Sequence, residues 1–278
     1  MTQLLGLIDP SVPAFAPVPA NWTGDTHWLH VWFVVFTPVA IGIVAWCAWL
    51  AWRDRTPLPL WLLLSSALCI FIEPLGDAVG GIYLPKEAPV QLLTLFGRPM
   101  PLMDIYIWIG MAPTFYLVYR LIERGAPLKT LAIVAGALGI AEVVGEAAFV
   151  RTGSMLYYSN HALVFGLPVS TIVQNVGLCL VAPVALHLLM PYIHGIRWAI
   201  FLTFCPSIVI AYIFPTTLLS YIGINNDVPA WLGWVFGLTS AYLGALVAYA
   251  AVHLPSVVRL REQAAAAQRP SSELQTAA

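Results

Sequence analysis

Residues 128–149, LKTLAIVAGALGIAEVVGEAAF, form one apolar run of membrane-crossing length that carries two carboxylates, Glu142 and Glu146, one helical turn apart. Residues 58–84, LPLWLLLSSALCIFIEPLGDAVGGIYL, repeat the arrangement with Glu73 and Asp77. A carboxylate inside a bilayer costs about 2.5–3.5 kcal/mol on insertion scales unless it is paired, protonated or facing water. Two such pairs at one spacing decide the reading: an all-α membrane bundle built around an acidic site.

The rest of the chain agrees with that class. Hydrophobic residues are 60% and charged residues 9% of the 278, with a mean hydropathy of +0.84, whereas a soluble domain is about 25% charged. Apolar runs near twenty residues give seven predicted spans: Trp28–Trp52, Leu58–Leu84, Pro101–Ile122, Leu128–Phe149, Phe165–Tyr192, Ile196–Ile222 and Pro229–Val252. Arg53, Arg55, Arg120, Arg124, Lys129, Arg197, Arg259 and Arg261 fall on one side, Lys86, Arg98 and Arg151 on the other. The excess of positive charge predicts an extracytoplasmic N-terminus, residues 1–27 included, and a cytoplasmic C-terminus. Residues 1–261 then form one transmembrane domain, and residues 262–278 a disordered cytoplasmic tail. The expected location is a bacterial cytoplasmic membrane.

The remaining motifs narrow the function by what they lack. Net charge is −1, which argues against nucleic acid as a partner. Cys47, Cys69, Cys179 and Cys205 all lie in apolar runs without metal-ligand spacing, and read as small buried hydrophobes. No cofactor is expected and no metal site is assigned, with a magnesium ion held by the acidic cluster as the alternative. The N-terminal segment has no basic region followed by an apolar core, so it does not read as a cleaved signal. Asn21-Trp22-Thr23 matches a glycosylation sequon. The Pro-rich loop 85–100 is expected to fold back as an interfacial cap. The last span has no lysine to hold retinal, and no diphosphate-binding acidic motif, GxSxG, HExxH or phosphate loop occurs in a suitable context.

Depth then groups the acids. With spans two and four parallel, Glu73 lies fifteen residues after Leu58 and Glu142 fourteen after Leu128, about 21–23 Å from the inner edge. Asp77 and Glu146 sit one turn further out, and Asp104 enters the third span from the same side. These five, Glu73, Asp77, Asp104, Glu142 and Glu146, are the candidate catalytic residues. Carboxyl groups crowded in low dielectric resist ionising together, and a neutral carboxylic acid is what a general acid must be. Gln174 and Asn175 lie at similar depth, and Tyr106, Trp108, Tyr158, Trp231 and Trp234 offer ring faces that stabilise a cation. These seven are the candidate substrate-binding residues. The plainer alternatives are an interfacial aromatic belt and helix-to-helix hydrogen bonding. His161, in the loop after the fourth span, is a candidate proton relay.

The segment 142–169, with Glu146, Arg151-Thr152-Gly153, Tyr157-Tyr158 and Phe165-Gly166-Leu167-Pro168, resembles the pattern around the conserved acid of membrane carotenoid hydratases of the bisanhydrobacterioruberin type. It departs from that pattern where Ser154-Met155-Leu156 replaces Pro-Phe-Gly. The seven spans, with Ile72-Glu73-Pro74-Leu75-Gly76-Asp77 and Gly97-Arg98-Pro99-Met100-Pro101, resemble the integral-membrane terpene cyclases of bacterial terpenoid and meroterpenoid pathways. The resemblance implies an isoprenoid cyclase that protonates an alkene or epoxide of a lipophilic prenyl substrate without a metal. It also implies membrane lipid and a prenyltransferase as associates. The alternatives are an isoprenoid hydratase, in which water captures the cation, a proton-coupled transporter that uses the acids as a relay, and a structural membrane subunit.

Overall fold

The computed structural model describes residues 15–19 and 22–267. The sequon's Asn21 and the chain beyond Ala267 lie outside the described residues. Among the described residues six helices are long and apolar enough to cross a membrane, and a seventh span is made if one bent pair counts as one crossing. The first, α1 (Thr26–Asp54), starts where Asp25 Oδ1 accepts hydrogen bonds from the backbone N–H groups of His27 and Trp28, the usual satisfaction of orphan donors at a helix start.

The second predicted span is broken, and the break has a sequence cause. Helix α2 (Leu58–Ala67) tightens into a 3₁₀ turn at Leu68–Phe71, and α3 (Glu73–Gly80) leaves at 48° to it. Pro74 has no N–H to donate, and its ring would clash with the carbonyl four residues back in a continuous helix. The chain therefore restarts at Glu73. Helix α3 ends on Gly81, whose φ of +64° is left-handed, and a Cβ there would lie 2.4 Å from the Tyr158 carbonyl oxygen. Only glycine fits that approach.

The loop expected as an interfacial cap is a β-hairpin. Strands β1 (Ile82–Tyr83), β2 (Gln91–Leu95) and β3 (Arg98–Pro101) follow α3, with β2 and β3 antiparallel. The third span comes next as α4 (Leu102–Ile109) and α5 (Met111–Glu123), and the fourth is α6 (Leu128–Arg151). A second irregular segment holds β4 (Leu156–Tyr157), β5 (Leu163–Val164) and β6 (Leu167–Pro168). β4 pairs with β1, so the two connections at this end are tied together. The fifth span begins at Val169, after β6, rather than at Phe165, because Gly166 and Pro168 shape a turn and strand there.

The most extensive packing in the bundle is that of α7 (Val169–Leu189) and of α8 (Phe201–Ile224) on α9 (Ala230–Val252). Small residues line the contact: Gly233, Gly237, Ser240, Ala241, Gly244 and Ala248 are the buried face of α9, the spacing that lets membrane helices approach closely. Tyr212 fills the joint, donating to the Gly244 carbonyl at 2.9 Å. The four cysteines are free and buried. The expected tail differs at its start: α10 (Pro255–Ala267) carries helix through residues 262–267.

Candidate functional site

The break at Pro74 turns α3 across the bundle so that its acids meet those of α4 and α6. A cavity of about 430 Å³ lies between them, lined by all five predicted acids: Glu73, Asp77, Asp104, Glu142 and Glu146. That volume falls in the range of small-molecule sites, roughly 300–1,000 Å³. The acids are one another's electrostatic neighbours. Glu73 faces Asp104, Glu146 and Glu142, and Asp77 faces Glu73 and Glu146.

The five are not equivalent in their hydrogen bonding. Glu142 accepts from the Asn175 side-chain amide on α7. Glu146 accepts from the Tyr157 hydroxyl on β4, but its Oε2 has no partner. Asp77 and Asp104 are 1% and 5% exposed, and the Oδ2 of each is buried without a partner. An ionised carboxylate left so would carry an uncompensated burial cost. Glu142 and Glu146 are thus each held by a donor, and Asp77, Asp104 and Glu146 each keep one buried oxygen unpaired. Among the described residues no three Asp, Glu, His or Cys side chains converge as a metal-holding group.

Four predicted substrate-binding residues line the cavity: Tyr106, Trp108, Gln174 and Asn175. Trp108 lies beside Glu73, and Gln174 donates to Thr216 Oγ1 at 3.3 Å. Three others are placed elsewhere. Trp231 and Trp234 are 67% and 37% exposed on α9, because the small-residue face of that helix is the one turned inward. Tyr158 is buried but misses the cavity: along an extended strand successive side chains alternate sides, so Tyr157 points to Glu146 and Tyr158 to Arg98. His161 also stands off the cavity lining; it is exposed and packs on Gly233 of α9.

The lining includes further residues outside the predicted set. Tyr157 is the strongest of them, since burial and Glu146 hold its phenol well above the usual range and so keep it a neutral donor. Thr217 and Tyr221, one turn apart on α8, contribute hydroxyls. Phe36, Val39 and Ile43 form a stripe on α1 at i, i+3 and i+7, a helical spacing visible in the sequence. Away from the acid layer, Ile43, Met111, Leu138, Cys179 and Val209 make an apolar pouch. No family model, curated protein or solved structure is significantly similar to this chain.

Proposed function

We propose that the protein is an integral-membrane isoprenoid cyclase whose cavity acids start the reaction by protonating a substrate alkene or epoxide. The observation that carries this reading is that two carboxyl oxygens without a hydrogen-bond partner, Asp77 Oδ2 and Asp104 Oδ2, belong to residues lining one largely apolar cavity of about 430 Å³. A proton donor in an apolar pocket suits a substrate whose only reactive group is a carbon–carbon double bond or an epoxide. The orientation that fits is the one read from the basic residues, with the hairpin end outside.

In the proposed step a neutral Asp77 or Asp104 gives its O–H proton to the terminal alkene carbon, and the π electrons form the new C–H bond. A tertiary carbocation results, and the carboxyl becomes a carboxylate. An internal double bond attacks the cation, forming a C–C bond and moving the positive charge along the chain. Glu146 or Glu142 then takes the β-proton as the final alkene forms, so the product is an isomer of the substrate. Aromatic faces at Phe36, Tyr106, Trp108 and Phe149 flank the path of the cation. Glu142 and Glu146 suit the base role because each already accepts a hydrogen bond that supports negative charge.

The test is to incubate membranes containing the protein with linear isoprenoids ending in an alkene or the corresponding epoxide, in deuterium oxide. The reading predicts a cyclic isomer from the alkene that carries one solvent deuterium on carbon. A product heavier by one water supports the hydratase instead. Turnover undiminished when Asp77, Asp104 and Glu73 are all replaced by their amides would overturn the assignment of the acids.

A further inference from the structure

The cavity is closed at the hairpin end and open at the side. Ile82, Leu84, Met155, Tyr157 and Pro168 form its ceiling, and pairing of β1 with β4 ties that ceiling together. Beside it, Met100 of β3 and Met103 of α4 are fully buried. At the side the situation differs. Helices α1 and α6 meet near their hairpin ends, where Phe149 stacks on Trp32 at 4.9 Å and packs against Phe36 at 5.5 Å. Trp32 also donates to Thr152 Oγ1 at 3.0 Å. At its other end α6 is held by Leu131, packed with Val118 and Ile122 of α5.

Between these two closures α1 and α6 do not pack extensively. Val39 on α1 lines the cavity and is 49% exposed. On α6, Ala141 and Gly145 line the cavity and are exposed on the outside of the bundle. A Cβ on Gly145 would meet no atom within 4 Å. The mouth is thus framed by apolar and small residues, with Glu142 and Glu146 directly behind it on the same helix. A mouth of this chemistry, at mid-helix on a chain of membrane-crossing helices, opens onto hydrocarbon.

We propose that the gap between α1 and α6 is a lateral portal through which a lipophilic isoprenoid chain passes from the bilayer into the acid-lined cavity. Gly145 and Val39 are its two lips. The proposal rests on the reading of the cavity as the substrate site, but access can be measured without turnover. Substrate delivery then depends on its concentration in lipid, and its chain lies across the acid layer into the pouch at Met111 and Val209.

The experiment uses the full chain in phosphatidylcholine nanodiscs loaded with a diazirine-bearing geranylgeraniol. After irradiation, peptides are read by mass spectrometry. Labelling at the cavity residues Met111 and Ile213 is expected in the wild type. It should persist in Ile140→Trp, which enlarges an outward-facing side chain of α6, and be lost in Gly145→Trp and Val39→Trp. Either plugged variant suffices if it remains monodisperse and melts like the wild type. Undiminished labelling in a folded plugged variant overturns the portal, as does a wild type labelled only outside the cavity. The two readings fail separately. Labelling lost on plugging with no isoprenoid turned over by the wild type leaves the portal standing and removes the cyclase. Labelling and turnover that both survive plugging do the reverse.

Discussion

Tyr157 donates its phenolic hydrogen to Glu146, so the strand that roofs the cavity is anchored to one of the acids it covers. The contact joins two parts of the chain that have separate reasons to be where they are. Tyr157 is set by the pairing of β4 with β1 after Gly81, and Glu146 by the register of α6. One turn back on that helix, Glu142 is held by Asn175. Both α6 acids are thus supported by a donor, while Glu146 on its second oxygen, Asp77 of α3 and Asp104 of α4 each keep one buried oxygen unpaired.

Tyr157→Phe removes the single donor to Glu146 without changing the ring. A hydrogen bond to a charged group is worth about 1.5–3 kcal/mol, which corresponds to a drop of about 10- to 150-fold in turnover. The ring still fills the roof, so the thermal midpoint in detergent should stay near that of the wild type. An unchanged rate in membranes would remove Glu146 from the role of base.

Asp77→Asn and Asp104→Asn keep shape and remove the transferable proton. Loss of a general acid costs about 10²–10⁴-fold, and the variant at the aspartate that donates the proton is expected to fall in that range for alkene substrates. Glu142→Gln should lose less, because the amide oxygen still accepts from Asn175. Wild-type rates in both aspartate variants would mean that the proton comes from another group.

Much of this was legible in the sequence, and the failures have physical causes. Apolar length and the two acid pairs located the bundle and brought five carboxyl groups to one region in two adjacent layers, since helical spacing fixes which residues share a face. The choice of Tyr158 over Tyr157 failed because alternation along a strand is invisible until the strand's register is known, and β4 takes its register from β1, far away in sequence. In sequence Trp231 and Trp234 offer ring faces for a substrate, yet the glycines and alanines of α9 occupy the inward face. The bend at Pro74 was readable in principle, as a proline directly after an acid within an apolar run. Its effect, turning Asp77 toward Asp104, depends on tertiary packing. By depth the sequence points to Glu73 and Glu142 as the proton donors, and the proposed mechanism gives that role to Asp77 or Asp104 instead, on their unpaired oxygens.

Asn175→Leu leaves the Glu142 oxygen without its donor inside the bundle. An unsatisfied buried acceptor costs about 1–3 kcal/mol, and a lower thermal midpoint is expected. Replacing both partners, Asn175→Leu with Glu142→Met, removes the polar pair together and should recover much of that loss. A double-mutant cycle checks it. Effects that add within about 0.5 kcal/mol would show that the two side chains do not depend on one another.

Gly177→Ala tests the joint that sets the position of α7, and with it Gln174 and Asn175. A Cβ at Gly177 would lie 1.9 Å from Tyr212 Oη and 3.3 Å from the Ala248 Cβ, so either α8 or the Tyr212 ring must shift. Overpacking of this kind costs about 1–3 kcal/mol. Tyr212→Phe alone gives up the hydrogen bond to Gly244, about 0.5–1.5 kcal/mol, yet it also removes the atom in closest conflict. In the Gly177→Ala background it should therefore restore part of the stability, although the ring carbon that bears the hydroxyl, 2.9 Å from the added methyl, keeps some strain. Thermal unfolding of the four proteins decides the matter: single effects that simply add in the double variant would mean that the two side chains do not meet at this point.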